Sequence, residues 1–288
     1  MKKRFPPWLV KRASHGEDVH RMKMLLRKKG LHTVCEAARC PNIWECFSKP
    51  TATFMIMGDI CTRECGFCGV KKGNPGPLDK NETKRIAELV KELNLKHTVI
   101  TSVTRDDLDD GGAEHFAKTV EEVREKTPEV TIEVLTPDFK GSVESLKKVV
   151  DSKPDIFNHN LETIPRLYPF VRPEANYQRS LDLLKNIKEM EGDIITKSGL
   201  MLGLGETRKE VIDVMKDLRQ VNCDIVTLGQ YLRPSKKSLP VKEYVLPEIF
   251  EKYKEELQGM GFLHVFAGPF VRSSFNAEVV MQNSHMCR

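Results

Sequence analysis

From about residue 51 onward, short apolar runs alternate with longer, charge-rich stretches whose apolar residues recur every three or four positions. An apolar run bounded by polar residues suits a buried strand, and a recurrence of three to four suits one buried face of a helix. Their alternation predicts an α/β fold of repeated strand–helix units around a parallel sheet. Strands are expected over 52–57, 98–103, 130–135, 155–158, 194–200, 224–228 and 263–266. Helices are expected between them over 82–93, 113–125, 142–150, 175–190, 206–221 and 247–258, with polar or proline starts. At least six such units without a long gap favour a partial or complete (β/α) barrel over an open doubly wound sheet, and a barrel puts its chemistry at the C-terminal strand ends. Residues 1–50 are Lys/Arg-rich, poor in strand pattern and broken by Pro6, Pro7 and Pro41. They read as an extension packed onto a barrel of residues 51–268, with 269–288 as a C-terminal tail over its mouth.

The 288 residues are 40% hydrophobic, enough for a sizeable core, so a disordered or fibrous chain is excluded. A net charge of +5, with both signs interspersed, is too mild to imply nucleic-acid binding. No apolar run approaches the ~18–20 residues of a membrane span. The first residues carry no signal-peptide pattern, and Glu17 and Asp18 interrupt any transit-peptide pattern. The expectation is a soluble cytoplasmic protein with neither a membrane nor a nucleic acid as partner.

Of the 8 cysteines, Cys35, Cys40, Cys46, Cys61, Cys65 and Cys68 crowd into one short window. In a long chain without an export signal such crowding points to metal or cluster ligation rather than disulfides. Cys61, Cys65 and Cys68 form a C-x3-C-x2-C triplet directly after the first barrel strand, on a loop where a barrel carries chemistry. Three thiolates can hold three irons of a four-iron cubane and leave the fourth open to a small molecule. Structural zinc, the competing reading, needs four N or S ligands, and no fourth lies nearby at suitable spacing.

With Phe67 before its last cysteine, this triplet resembles the motif of the radical S-adenosylmethionine (SAM) superfamily. That resemblance implies a barrel of radical SAM type. It also implies a cluster whose open iron binds SAM, which an electron splits into methionine and a 5′-deoxyadenosyl radical. Cys35, Cys40 and Cys46 form a second triplet, C-x4-C-x5-C, again one ligand short of closing a cubane. This segment resembles the lipoyl synthase family, as do GDICTR (58–63), TSVTRDDL (101–108), NHNLET (158–163), KSGLM (197–201) and GPFVRSSF (268–275). Lipoyl synthases insert two sulfur atoms, at C6 and C8, into an octanoyl chain linked to a lysine of a carrier protein.

The resemblance implies two [4Fe-4S] clusters and SAM as cofactors, with the Cys35–Cys40–Cys46 cluster as sulfur donor. That second cluster would be completed by a tail serine, Ser274 or, failing that, Ser273. Phe275 stands where the family has Tyr, which removes a phenol but leaves both serines. Gly111, Gly112, Asn160, Glu162, Lys197 and Ser198 are the expected SAM contacts beside Phe67. The implied partners are the lipoyl domains of 2-oxoacid dehydrogenases, the glycine cleavage H protein, and an electron donor such as ferredoxin or flavodoxin. Rival readings are another radical SAM sulfur inserter or methylthiotransferase, an iron–sulfur electron carrier, and a zinc module.

Other features read as structural. Gly203-Leu-Gly205 tempts a dinucleotide fingerprint, but Arg208 stands where the third glycine belongs. Cys223 suits a buried small hydrophobe and Cys287 a free tail thiol. His32, His115 and His159 suit packing or hydrogen bonding. The basic stretch 22–29 suits either a solvated helix face or docking to an acidic carrier.

Overall fold

The computed structural model describes residues 5–11, 16–48 and 53–274; Phe275 and Cys287 lie outside them. The N-terminal extension comprises α1 (Gly16–Lys28), β1 (His32–Thr33), α2 (Val34–Ala37) and α3 (Ile43–Ser48). The barrel begins with β2 (Thr53–Ile56), a two-residue ladder of β3 (Ile60–Cys61) and β4 (Lys71–Lys72), and α4 (Glu82–Glu92). It continues through β5 (His97–Ser102), α5 (Ala113–Lys126), β6 (Thr131–Leu135), α6 (Val143–Asp151), β7 (Ile156–Asn158), α7 (Tyr168–Val171) and α8 (Tyr177–Met190). It ends with β8 (Ile195–Leu202), α9 (Arg208–Gln220), β9 (Ile225–Gln230), α10 (Pro247–Gln258) and β10 (His264–Gly268).

All seven expected strands and six expected helices form, with ends displaced by only a few residues. The strands from β2 to β10 pair in parallel in the order β2-β5-β6-β7-β8-β9-β10, and β1 adds antiparallel to the outer edge of β2. The sheet does not close, so the barrel is partial, its first edge covered by the extension. β1 escapes a reading by periodicity because two residues carry no period.

Burial explains the strands. Every residue of β2 and β9 is buried, as parallel strands covered on both faces require. The helix starts are set by side chains: Ser142 caps α6, Asn176 caps α8, and Thr207 with Glu210 forms a reciprocal capping box on α9. Glu206, expected inside that helix, instead turns back. Its carboxylate accepts from the amides of Gly203 (2.5 Å) and Leu204 (2.9 Å), filling the turn that a dinucleotide phosphate would need. Cys223 is fully buried, and its thiol donates to the Ile225 carbonyl. His115 bonds Glu82 at 2.7 Å, and His32 lies on β1 opposite Met55. The basic stretch 22–29 lies on and just after α1, with Met22 and Leu26 in the core, Lys23 and Arg27 facing Glu36, and Lys29 pairing with Glu92. Among the described residues no helix is long and apolar enough to cross a membrane.

Candidate functional site

The β3–β4 ladder pairs Cys61 with Lys72 and folds the segment between them into a closed loop at the end of β2. The Thr104 amide donates to Cys61 Sγ at 3.3 Å. Gly66 is clamped on both sides, donating to the Val171 carbonyl and accepting from the Leu239 amide, each at 2.9 Å. A β-carbon there would lie 2.9 Å from the Phe170 carbonyl, so only glycine fits. Arg63 locks the same loop to the ends of β5 and β6, with a two-pronged contact to Asp106 (2.6 and 2.9 Å) and a bond to Asp138 at 2.6 Å. Phe67 is half-buried against the core.

Burial pushes the Cys65 thiol up to about 12, against the pull of Arg172 and with Cys68 and Cys61 adding to it. Cys68 is raised by burial as well, with Cys61 and Glu162 contributing. The three thiols therefore lie within electrostatic reach of one another, and all are free. Among the described residues no three His, Cys, Asp or Glu side chains converge closely enough to hold a single metal ion. Three free thiols on one loop are the donor set a four-iron cluster would take, and they do not form the four-ligand site of structural zinc.

The second triplet is carried by α2, the turn after it and α3. Burial raises the Cys35 thiol to about 12, with Cys40 and Cys46 adding to it. Buried Asn42, between Cys40 and Cys46, donates to the Phe270 carbonyl at 2.8 Å and accepts from Lys11 at 2.8 Å. The segment following β10 thus begins its crossing of the barrel mouth at the second triplet. It then passes over β9, where a β-carbon on Gly229 would lie 2.2 Å from the Val271 carbonyl. The Arg272 guanidinium, its pKa lowered by burial, feels both Cys40 and Glu162. Ser273 exchanges hydrogen bonds with the Asn160 amide group at 2.7 and 2.9 Å. Ser274 is half-buried and its hydroxyl is held by no described residue.

The expected SAM contacts divide into those at the mouth and those inside the barrel. Asn160 bonds Glu162 at 3.1 Å. Glu162 sits at a φ of +65, its backbone fastened to Gly199 and Met201 along β8. Burial pushes its carboxyl up, opposed by Arg172, Asn160 and Arg272. Gly111 and Gly112 make the turn before α5 at φ of +63 and +89, and a β-carbon on Gly112 would lie 2.2 Å from Met57 Sδ. Lys197 and Ser198 make their hydrogen bonds within the barrel. The Lys197 ammonium bonds both oxygens of Glu133 at 3.0 Å inside the barrel, and the Ser198 hydroxyl accepts from the Leu161 amide at 3.3 Å.

The radical SAM superfamily model matches residues 55–218, and the model for the N-terminal domain of lipoyl synthase matches residues 1–40. A lipoyl synthase of Caldanaerobacter subterraneus subsp. tengcongensis is 58% identical over 96% of this chain and 96% of its own. One from Chromobacterium violaceum is 53% identical over 95% of this chain and 87% of its own. The chain belongs to the lipoyl synthase family. Among solved structures, Streptococcus suis SuiB bound to S-adenosylmethionine superposes with a TM-score of 0.58 at 13% identity, covering 78% of this chain and 53% of that one. Methylornithine synthase (PylB) gives 0.56 at 13% identity, covering 95% and 89%. Both likenesses concern the fold alone.

For this lipoyl synthase family member, Arg172 is the residue that sequence reasoning missed. It is buried, donates to the carbonyls of Asn160 (2.7 Å) and Leu161 (3.2 Å), and stacks near the Tyr168 ring. Its Nε is buried without a hydrogen-bond partner. Lying just ahead of Pro173 in an unremarked loop, it carries no spacing signal; only the fold brings it to Cys65 and Glu162. His159, inside a family-like motif, is a buried framework group. It donates through Nδ1 to the Thr136 carbonyl (2.9 Å), which fixes Nε2 as acceptor from Ser180 Oγ (3.0 Å).

Proposed function

We propose that this radical SAM, sulfur-inserting enzyme acts at C6 and C8 of an octanoyl chain borne on a carrier-protein lysine. The carriers would be lipoyl domains of 2-oxoacid dehydrogenases and the glycine cleavage H protein, the reductant a ferredoxin or flavodoxin, and the compartment the cytoplasm. What supports the reading is two open thiol triplets in one chain, with a segment after β10 that touches the second triplet through Asn42 and the barrel mouth through Ser273 and Asn160. Family membership brings a four-iron cluster and SAM; the second cluster is part of this proposal. When bound, the first cluster supplies the electron that cleaves SAM at each C–H activation, and the second supplies the sulfur.

The chain's own residues divide the remaining work. Cys61, Cys65 and Cys68 hold the first cluster, and Arg63 keeps their loop fixed against the barrel. Cys35, Cys40, Cys46 and Ser274 hold the second. A serine oxygen is a harder ligand than thiolate, so the iron it holds is the easier one to release. Ser273, bound to Asn160, leaves its neighbour the freer hydroxyl. Glu162, whose carboxyl burial disfavours as an anion, would face the cationic SAM, and Arg172 Nε, buried without a partner, would offer a donor to its carboxylate. Gly111 and Gly112 let the backbone approach where a side chain would collide.

The test is iron and acid-labile sulfide per chain after anaerobic reconstitution, followed by an octanoyl-peptide assay with SAM and a reductant. About eight of each per chain, with formation of lipoyl peptide, is the expected result. About four would show that Cys35, Cys40 and Cys46 hold no cluster, and would remove the proposed sulfur source even if SAM were still cleaved.

A further inference from the structure

Five cations gather on three loops that touch one another around the first cysteine triplet: Arg39, Lys72, Arg233, Lys236 and Lys237, all exposed. Arg39 donates to the Pro234 carbonyl at 3.2 Å, joining the second triplet's segment to the loop after β9. That loop meets the first triplet through the Leu239–Gly66 hydrogen bond. It meets it again at Gly69, where a β-carbon would lie 3.0 Å from Pro234 Cβ. Lys72 Nζ donates to the carbonyl of Cys65 itself at 3.0 Å. Cations on the outer helices of this protein are commonly neutralised by a neighbouring carboxylate, as in Lys147–Asp151 and Lys209–Asp213. Among the described residues none of these five makes an ion pair; only adjacent Lys71 does, with Asp59 at 2.5 Å. Two exposed carboxylates also lie at the cysteine loop, Glu64 and Glu174, whose Oε1 accepts from the Glu64 amide at 3.1 Å, and the five cations outnumber them. A patch of net positive charge repels itself, and its field is satisfied when an acidic surface docks on it.

We propose that this patch is the docking surface for an acidic one-electron carrier protein. The proposal rests on the assignment of Cys61, Cys65 and Cys68 as cluster ligands. The donor gives up one electron, the cluster on those thiolates takes it up, and no bond forms or breaks between the two proteins. The position of the patch selects an electron donor over the octanoyl carrier. A carrier must deliver an acyl chain into the barrel toward Asn160 and Ser273, whereas an electron donor needs only closeness to a cluster ligand. A partner seated on Lys72 has that closeness, one hydrogen bond from the Cys65 backbone. Rim charges of this kind act on the rate of encounter rather than on the chemistry that follows, so their effect depends on salt.

The experiment measures binding of a strongly acidic flavodoxin to the protein by titration calorimetry, and follows SAM cleavage by the holoenzyme with two reductants: that flavodoxin photoreduced to its hydroquinone, and dithionite. The variant is Lys236→Glu/Lys237→Glu, at a loop tip that holds neither ligand nor substrate. At low salt its flavodoxin affinity, and at sub-saturating flavodoxin its rate, are each expected to fall about tenfold, with the dithionite-driven rate within twofold of the parent; unchanged affinity would overturn the proposal. The flavodoxin-driven rate of the parent should fall with added salt and that of the variant should change less. Lys91→Glu/Lys252→Glu, an equal charge change on α4 and α10, should leave both rates unaltered. Equal losses with both reductants, or an unchanged flavodoxin-driven rate, would overturn the proposal. So would a raised KM for octanoyl-carrier protein in dithionite with octanoyl peptide unaffected, which would assign the patch to the carrier. If the parent holoenzyme cleaves no SAM even with dithionite, the underlying cluster assignment falls and the proposal falls with it.

Discussion

Replacing Lys197 by Met separates a structural role from a SAM-binding one. The Lys197 side chain is nearly inaccessible and its ammonium lies 3.0 Å from both oxygens of Glu133, which is fully buried. Burial alone would push the Glu133 carboxyl up. Lys197, with His97 and Asn158, outweighs it and holds the group down to about 2. Lys197→Met removes the main partner and leaves a buried carboxylate, a defect that costs about 3–5 kcal/mol. The sign with pH follows. Without Lys197 the folded-state value of Glu133 rises above the unfolded one, so the variant's deficit is full near pH 7 and shrinks as pH falls toward 4.5. Urea unfolding followed by circular dichroism at pH 7 and pH 5 measures both effects. Glu133→Gln/Lys197→Met, which removes the stranded charge, should recover most of the loss. SAM affinity of the reconstituted Lys197→Met protein, by equilibrium dialysis, should stay within about twofold. Parental stability combined with a tenfold or greater loss of SAM affinity would refute the reasoning and return Lys197 to the SAM site.

Two further outcomes are expected. His159 is buried and neutral, its value lowered from 6.5 to about 4 by burial and by Arg172, so the unfolded chain binds the proton more readily. Stability from this group is present above pH 6.5 and is lost as pH falls toward 4, by about 3 kcal/mol in all; unfolding free energies across that range should show the slope, and His159→Gln should flatten it. Gly229→Ala places a methyl 2.2 Å from the Val271 carbonyl and must shift the segment that carries Ser273 and Ser274. We expect it to reduce iron bound at the Cys35 triplet while SAM cleavage persists, read by iron analysis beside a 5′-deoxyadenosine assay.

The strand–helix alternation and the two cysteine triplets were legible in the sequence because each is local. A strand or helix is written in its own periodicity, and Cys61, Cys65 and Cys68 fall within one short loop. What depends on residues far apart in the chain was decided only by the folded structure. Whether the sheet closes depends on the accumulated stagger of seven parallel strands, and here β10 never meets β2. Lys197 lies beside motif residues that reach the mouth, yet period-two alternation cannot say at what depth in a barrel a side chain points. Its register against β7, with Asn158 opposite and Glu133 one strand further on, sets it in the interior. Arg172 has no signature in its own segment and acquires its surroundings from the turn after β7 and from the cysteine loop. Ser273 meets Asn160 only because β10 delivers the following segment across the mouth. Local chemistry needs only neighbours along the chain; a site assembled from several strand ends needs the sheet that brings those ends together.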